Sequence, residues 1–356
     1  MKKILYISLI LICISCKKQK NESSSKESSN VETFNIEERS FPKVEKITNT
    51  SETDFVATLE NNFSENKNII YSPTMLFCWN EIKNKLTNVK LIEEKGINDF
   101  MILNNSNSFL NSMKKNEYKT EFSIDGENIV AKSFFNMQLT FEPNLQKLDF
   151  PIYFKNNGVY AVGMSEWDEQ LLKIVEIIYY KDDENFIFKI KPKEKKNEMI
   201  FVKGLGTEKM NSFQNVIIKY EEYKKIGNIE RNKNKLKWKY NFKEGETFEI
   251  PNIRFNFSKD YSTIVGKSFT SKESDFTVLI ANQRTAFILD EKGAIIESQA
   301  EMAAACTEAE EAEEIKVVFK FLRLNNTFYI IVKHNDQKNP YFVGKFENTK
   351  LMTKFD

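Results

Sequence analysis

Between Thr53 and Leu86 apolar side chains recur at three- and four-residue steps: Phe55, Leu59 and Phe63, then Leu76, Trp79, Ile82 and Leu86. That is the period of one buried helix face. Asn68-Ile69-Ile70-Tyr71-Ser72-Pro73 interrupts it with an apolar run closed by proline, so this region predicts helix, short strand, helix. From Phe122 onward the period changes to two. Ile129 to Leu139, Gly158 to Met164, Leu172 to Tyr180 and Phe186 to Ile190 alternate or run apolar between Asn, Asp, Gly and Pro boundaries, which predicts antiparallel strands. Ser212 to Tyr223 returns to helical spacing. Leu236 to Phe242, Thr247 to Ile250 and Ile253 to Phe257 again read as strands. The chain closes with Val317 to Leu324, Thr327 to Lys333, a polar turn through Asn335 to Asn339, and Tyr341 to Phe346. No internal repeat is visible, and the pattern predicts an α+β domain dominated by sheets.

The first residues do not belong to that domain. Met1-Lys2-Lys3 precedes the apolar run Ile4 to Ile14, and Ser15-Cys16 follows, the layout of an export signal with a small-residue cleavage site. Eleven residues are too few to cross a bilayer, which takes about 20. Cys16 after a small residue resembles a bacterial lipobox, and the resemblance implies removal of residues 1–15 and lipidation of Cys16. Cys13 fits less well because bulky Ile12 precedes it. Residues 16–52 are rich in Ser, Asn, Lys and Glu, and such a composition predicts a flexible tether. The folded domain is expected over residues 53–356, on the outer side of a bacterial cell envelope, at the outer membrane or cell surface.

Charge and composition exclude several functions. With 52 basic and 51 acidic residues the net charge is +1, so no basic stripe of the kind nucleic-acid binding requires is expected. Beyond Cys16 the domain holds only Cys78 and Cys306, too few for a disulfide framework or a cysteine zinc site. The single histidine, His334, removes two-histidine metal sites and leaves histidine-dependent nucleophilic catalysis resting on one residue of a predicted hairpin. His334 is therefore read as an exposed turn residue. No phosphate-cradling or zinc-protease motif occurs, and the chain reads as a non-enzyme without cofactor or metal.

The C-terminal stretch Leu324 to Lys333 through Tyr341 to Thr349 resembles the signature that closes serpins. Phe328, Lys333, Phe342, Gly344, Lys345 and Asn348 fill the signature positions. Asn68-Ile69-Ile70-Tyr71-Ser72-Pro73 is similar to the family's strand-to-helix junction. Phe248-Glu249-Ile250-Pro251-Asn252-Ile253-Arg254-Phe255-Asn256-Phe257 is similar to its strand-Pro-strand motif, and Glu273-Ser274-Asp275-Phe276 follows in the family's order. The resemblance covers Thr53 to Asn348. It implies a serpin-like fold with the C-terminal stretch as a buried hairpin and Phe134-Phe135 in the central strand of the main sheet. Only about 60 residues separate Ser72 from Phe134, fewer than the family uses, so the N-terminal helical layer is expected to be reduced.

The resemblance also implies a mechanism, in which a protease cuts an exposed loop that then inserts into the main sheet as a strand. Counting back from Phe328 places the hinge at Ala300, Glu301, Met302, Ala303, Ala304, Ala305, Cys306 and Thr307, and the bait at Glu314, Ile315 or Lys316. Aligning Asp290-Glu291-Lys292-Gly293 to the family's acidic-Gly hinge makes the loop too long. The small run Ala303 to Thr307 suits insertion. Glu301, together with Ala300 and Ser298 in place of the family's Gly and Glu, opposes it, because an unpaired carboxylate is costly to bury. Glu297 to Lys316 is also rich in the helix formers Ala and Glu, so a solvated helix is an equal expectation. Two functions follow: a monomeric inhibitor whose partner is a serine or cysteine protease, or a non-inhibitory binding or structural lipoprotein.

Overall fold

A computed structural model describes residues 44–92, 98–125, 128–205, 210–272, 274–299 and 319–355. Two sheets form the body. The seven-stranded one runs, edge to edge, Val175–Asp182, Asn185–Ile190, Asn197–Lys203, Phe328–His334, Phe342–Phe346, Asn68–Tyr71, Thr53–Val56. Every residue of Phe328–His334 and Phe342–Phe346 is buried, so the closing hairpin is the interior element that the apolar runs Phe328 to Val332 and Tyr341 to Val343 demand. The six-stranded sheet runs Lys46–Ile47, Ile253–Asp260, Asn282–Asp290, Gly293–Gln299, Asn128–Thr140, Lys119–Asp125. The two sheets meet through aromatic rings: Phe287 stacks on Phe342 at 4.5 Å, Phe55 lies 4.8 Å from Phe257, and Phe135 meets Tyr341 edge-on. Helix Thr74–Lys85 packs on the six-stranded sheet, burying Thr74 to Trp79. Helix Phe213–Arg231 packs on strand Val175–Asp182, with Tyr223 against Tyr179. The class is α+β and sheet-dominated, as expected.

Several elements differ from the sequence pattern. The Phe55, Leu59, Phe63 spacing does not form a helix. Thr53–Val56 is a strand parallel to Asn68–Tyr71, buried at all four positions. Leu236 to Phe242 is not a strand: Asn234–Tyr240 is a 3-10 helix with no buried residue, and the apparent alternation marks a partly covered surface segment. The folded part also reaches back into the stretch assigned to the tether. Lys46 and Ile47 pair with Asn256 and Phe257, and the Asn256 side chain donates to the Val44 carbonyl, so order is present before Thr53.

Candidate functional site

The insertion expected from the sequence resemblance would need the middle of the six-stranded sheet to admit a strand. That place holds a strand of the chain itself. Asp290-Glu291-Lys292-Gly293 turns the chain, and Gly293–Gln299 then lies antiparallel between Asn282–Asp290 and Asn128–Thr140. Its registers run from Gly293 opposite Asp290 and Thr140 to Gln299 opposite Arg284 and Phe134. The turn is stitched in place: Lys292 N–H donates to Asp290 Oδ1 at 2.9 Å, and Phe141 and Leu145 donate to the Lys292 and Glu291 carbonyls at 2.8 Å each. Gly293 has φ +145°, and a Cβ there would sit 1.9 Å from the Leu139 carbonyl oxygen. No side chain fits, and the bare position lets the strand close on its neighbour.

Alternate residues of this filler strand face opposite ways. Ala294, Ile296 and Ser298 share the face of Phe287 and Phe135, which looks onto the seven-stranded sheet, and all three are buried. Ser298 is the centre of a closed network of neutral groups. Its hydroxyl contacts those of Thr285 at 2.8 Å, Thr74 at 3.1 Å and Ser72. Ser72 also accepts from Gln283 Nε2 at 2.9 Å, and Gln283 Oε1 accepts from Tyr261 O–H at 2.6 Å. These residues are shut away from water, so each hydroxyl depends on the others for its hydrogen bonds. The network joins the filler to the strand before it and to the Ser72-Pro73 junction. On the opposite face Glu297 is fully buried, so the sheet accommodates a carboxylate on that side of the filler.

The hinge residues Ala300, Glu301, Met302, Ala303, Ala304, Ala305, Cys306 and Thr307, and the bait residues Glu314, Ile315 and Lys316, lie outside the described residues, as does Cys16. Both flanks of that loop are described. On the N-terminal side, Glu297, Ser298 and Gln299 are strand and buried, so the helical expectation for Glu297 to Lys316 fails at its first three positions. On the C-terminal side, Lys320 Nζ is fully buried between Glu246, at 2.8 and 2.7 Å, and the Trp238 carbonyl at 2.9 Å. Burial pushes the Lys320 ammonium below its usual range, opposed by Glu246. Phe321 N–H donates to Asp183, and Phe321–Arg323 joins Thr247–Pro251 in parallel.

His334 is not the exposed turn residue expected. It ends strand Phe328–His334 with 1% exposure, its Nε2 lies 2.8 Å from Glu117 Oε2, and its ring packs near Tyr341. Glu117 lies 217 positions away in sequence, a contact no local pattern could reveal. Cys78 is buried in helix Thr74–Lys85. Among the described residues no group of three His, Cys, Asp or Glu side chains could hold a metal ion, and no helix is long and apolar enough to cross a membrane.

No protein-family model and no curated protein matches the chain. Solved structures do. A cleaved Serpin 42Da matches at 9% identity and TM-score 0.36, over 64% of this chain and 58% of that one. Thyroxine-binding globulin in complex with thyroxine matches at 13% identity and TM-score 0.33, over 62% and 56%. The thermophilic serpin tengpin in its latent state matches at 12% identity and TM-score 0.33, over 65% and 59%. The chain thus spans less than two thirds of each of these proteins, and the solved structures it resembles are serpins.

Proposed function

We propose that this chain is a serpin-fold lipoprotein of the bacterial cell envelope that acts as a binding or structural module and does not trap proteases. The reading rests on the filler strand. Inhibition by loop insertion needs an opening between two strands, and Gly293–Gln299 occupies that position, bonded on both sides and tied in by Ser298. The competing reading, an inhibitor with its hinge at Ala300 to Thr307, draws on one observation. Strand Asn128–Thr140 continues for six residues beyond Phe134 on the filler's side, to Asn128. The other flank is shorter: beyond Arg284 only Gln283 and Asn282 remain in the strand. Two positions allow about 7 Å of doubly paired extension, against the eight residues from Ala300 to Thr307.

The test is thermal and covalent. Nicking the chain between residues 300 and 318 should leave the melting temperature unchanged, and mixing with serine and cysteine proteases should give cleavage without an SDS-resistant adduct. A large rise in melting temperature on nicking, or any such adduct, restores the inhibitor and removes this proposal.

A further inference from the structure

A second surface takes its meaning from where the described chain begins. Ile152–Phe154 and Asn157–Val159 form a small hairpin, and the C-terminal residues lie along it: Phe355 N–H donates to the Gly158 carbonyl at 3.1 Å and Tyr160 N–H to the Thr353 carbonyl at 3.0 Å. Tyr153 pairs with Gly158, so Tyr153, Gly158 and Tyr160 share a face. A Cβ at Gly158 would point at Pro151 Cβ, 3.5 Å away, and Phe355 Cβ, 3.7 Å away. Tyr160 and Phe355 lie 4.7 Å apart, ring to ring. Tyr153 is 64% exposed, Phe150 45% and Tyr160 36%. Tyr153, Tyr160 and Phe355 thus make an outward aromatic platform on paired backbone, with exposed Phe150 next to it in the chain, one residue before Pro151.

The platform sits at the end of the molecule where the described chain starts. Tyr160 accepts from Asn252 N–H at 2.8 Å. Four residues further along the same strand segment, the Asn256 side chain holds the Val44 carbonyl, about 13 Å away at strand spacing. Because Lys46–Ile47 runs parallel to Ile253–Asp260, the chain followed backward to Val44 heads toward Asn252 and the platform. Between Cys16 and Val44 lie 27 residues, no more than about 95 Å of chain even at full extension. A lipid on Cys16 would therefore keep the whole domain near a bilayer, with the described chain starting on the side of this face, and contacts too weak to bind from solution gain from that confinement. Tyr and Phe rings suit the headgroup boundary, with the apolar body inward and the hydroxyl in water.

We propose that Phe150, Tyr153, Tyr160 and Phe355 form a membrane-resting face that seats the anchored domain on the lipid surface in one orientation. The inference rests on the lipoprotein reading of Cys16, and its test supplies a tether that needs no acylation. The chain from Lys17 onward, with an N-terminal histidine tag, is held on phosphatidylcholine vesicles containing nickel-chelating lipid and brominated acyl chains. Two variants are compared with the parent: Tyr153→Trp on the platform, and Ile229→Trp at an exposed site on helix Phe213–Arg231. The added tryptophan at position 153 should lose about half its emission to bromine, given insertion of about 5–10 Å for interfacial aromatic groups. The tryptophan at 229 should be quenched no more than the parent. Combining Phe150→Ser and Tyr160→Ser with Tyr153→Trp should abolish the quenching. Equal quenching at 153 and 229, or none at either, overturns the proposal, and the latter is also the outcome if the platform instead serves a soluble partner. Flotation of the acylated chain and of Cys16→Ala reads the anchor separately.

Discussion

Replacing Ser298 with alanine is the sharpest test of the filled sheet, because the two possible positions of Gly293–Gln299 give different answers. In the sheet, the Ser298 hydroxyl meets those of Ser72, Thr74 and Thr285. Ser72 and Thr74 keep each other, and Ser72 keeps Gln283. Thr285 is fully buried and is left with a hydroxyl facing no acceptor, a loss of about 1–3 kcal/mol. For a domain of about 300 residues about 2 kcal/mol corresponds to a fall of roughly 3 °C in the melting midpoint. Were the segment instead part of a solvated loop, the same change would be worth no more than about 0.5 kcal/mol. Thr285→Val supplies the control: the double variant Ser298→Ala with Thr285→Val strands no hydroxyl at position 285. It should therefore be less destabilised than the sum of the singles by about 1 kcal/mol or more. Urea midpoints of the four proteins measure the cycle. Wild-type stability for Ser298→Ala, or strict additivity, refutes the placement of the strand.

Two further outcomes follow. Glu246→Gln leaves the buried Lys320 charge without its partner and should cost about 3–5 kcal/mol by chemical denaturation, whereas Lys320→Met with Glu246→Leu should lie much closer to the parent; equal losses would refute the ion-pair reading. Burial alone would raise Glu176, but the hydrogen bond from Lys191 and the charges of Lys189, Lys191 and Arg231 outweigh it and hold the carboxyl below its ordinary 4.5. Its stabilising contribution is therefore present above that pH and is lost as pH falls through the lowered value. The stability difference between wild type and Glu176→Gln, followed by urea midpoints from pH 7 downward, should shrink below about pH 4.5; a constant difference would contradict it.

Elements whose chemistry is local were legible in the sequence. Phe186 to Ile190, Phe248 to Phe257 and the closing hairpin announce themselves because largely buried strands are mostly apolar and end at turn formers. Where one pattern serves two geometries, the sequence misleads. Phe55, Leu59 and Phe63 sit four apart, yet Phe55 lies in a strand while Leu59 and Phe63 follow on irregular backbone, each buried separately. Leu236, Trp238 and Tyr240 alternate, yet belong to a 3-10 turn. His334 is hidden by Glu117 and Tyr341, partners that no window around residue 334 containing only its turn could supply.

The filler strand was legible in part. Asp290-Glu291-Lys292-Gly293 carries an Asx-type turn and a glycine, flanked by Phe287-Ile288-Leu289 and Ala294-Ile295-Ile296, which is how a hairpin looks. Loop length argued against aligning that turn with a hinge, since the distance to Phe328 is too great for a loop that must wait outside the sheet. The length argument assumed that everything after the turn is loop. Once Gly293–Gln299 is counted as sheet, the extra residues have a place, and their side chains agree with it. Ala294 and Ile296 are buried on the face that meets the seven-stranded sheet, Ser298 meets the hydroxyls of Ser72, Thr74 and Thr285, and Gly293 permits the approach to Leu139. A seven-residue strand bonded on both edges also pairs Asn282–Asp290 and Asn128–Thr140 along its own length, where an insertable fold would present open edges. The same residues that lengthen the loop by count are the ones that take away its reason to insert.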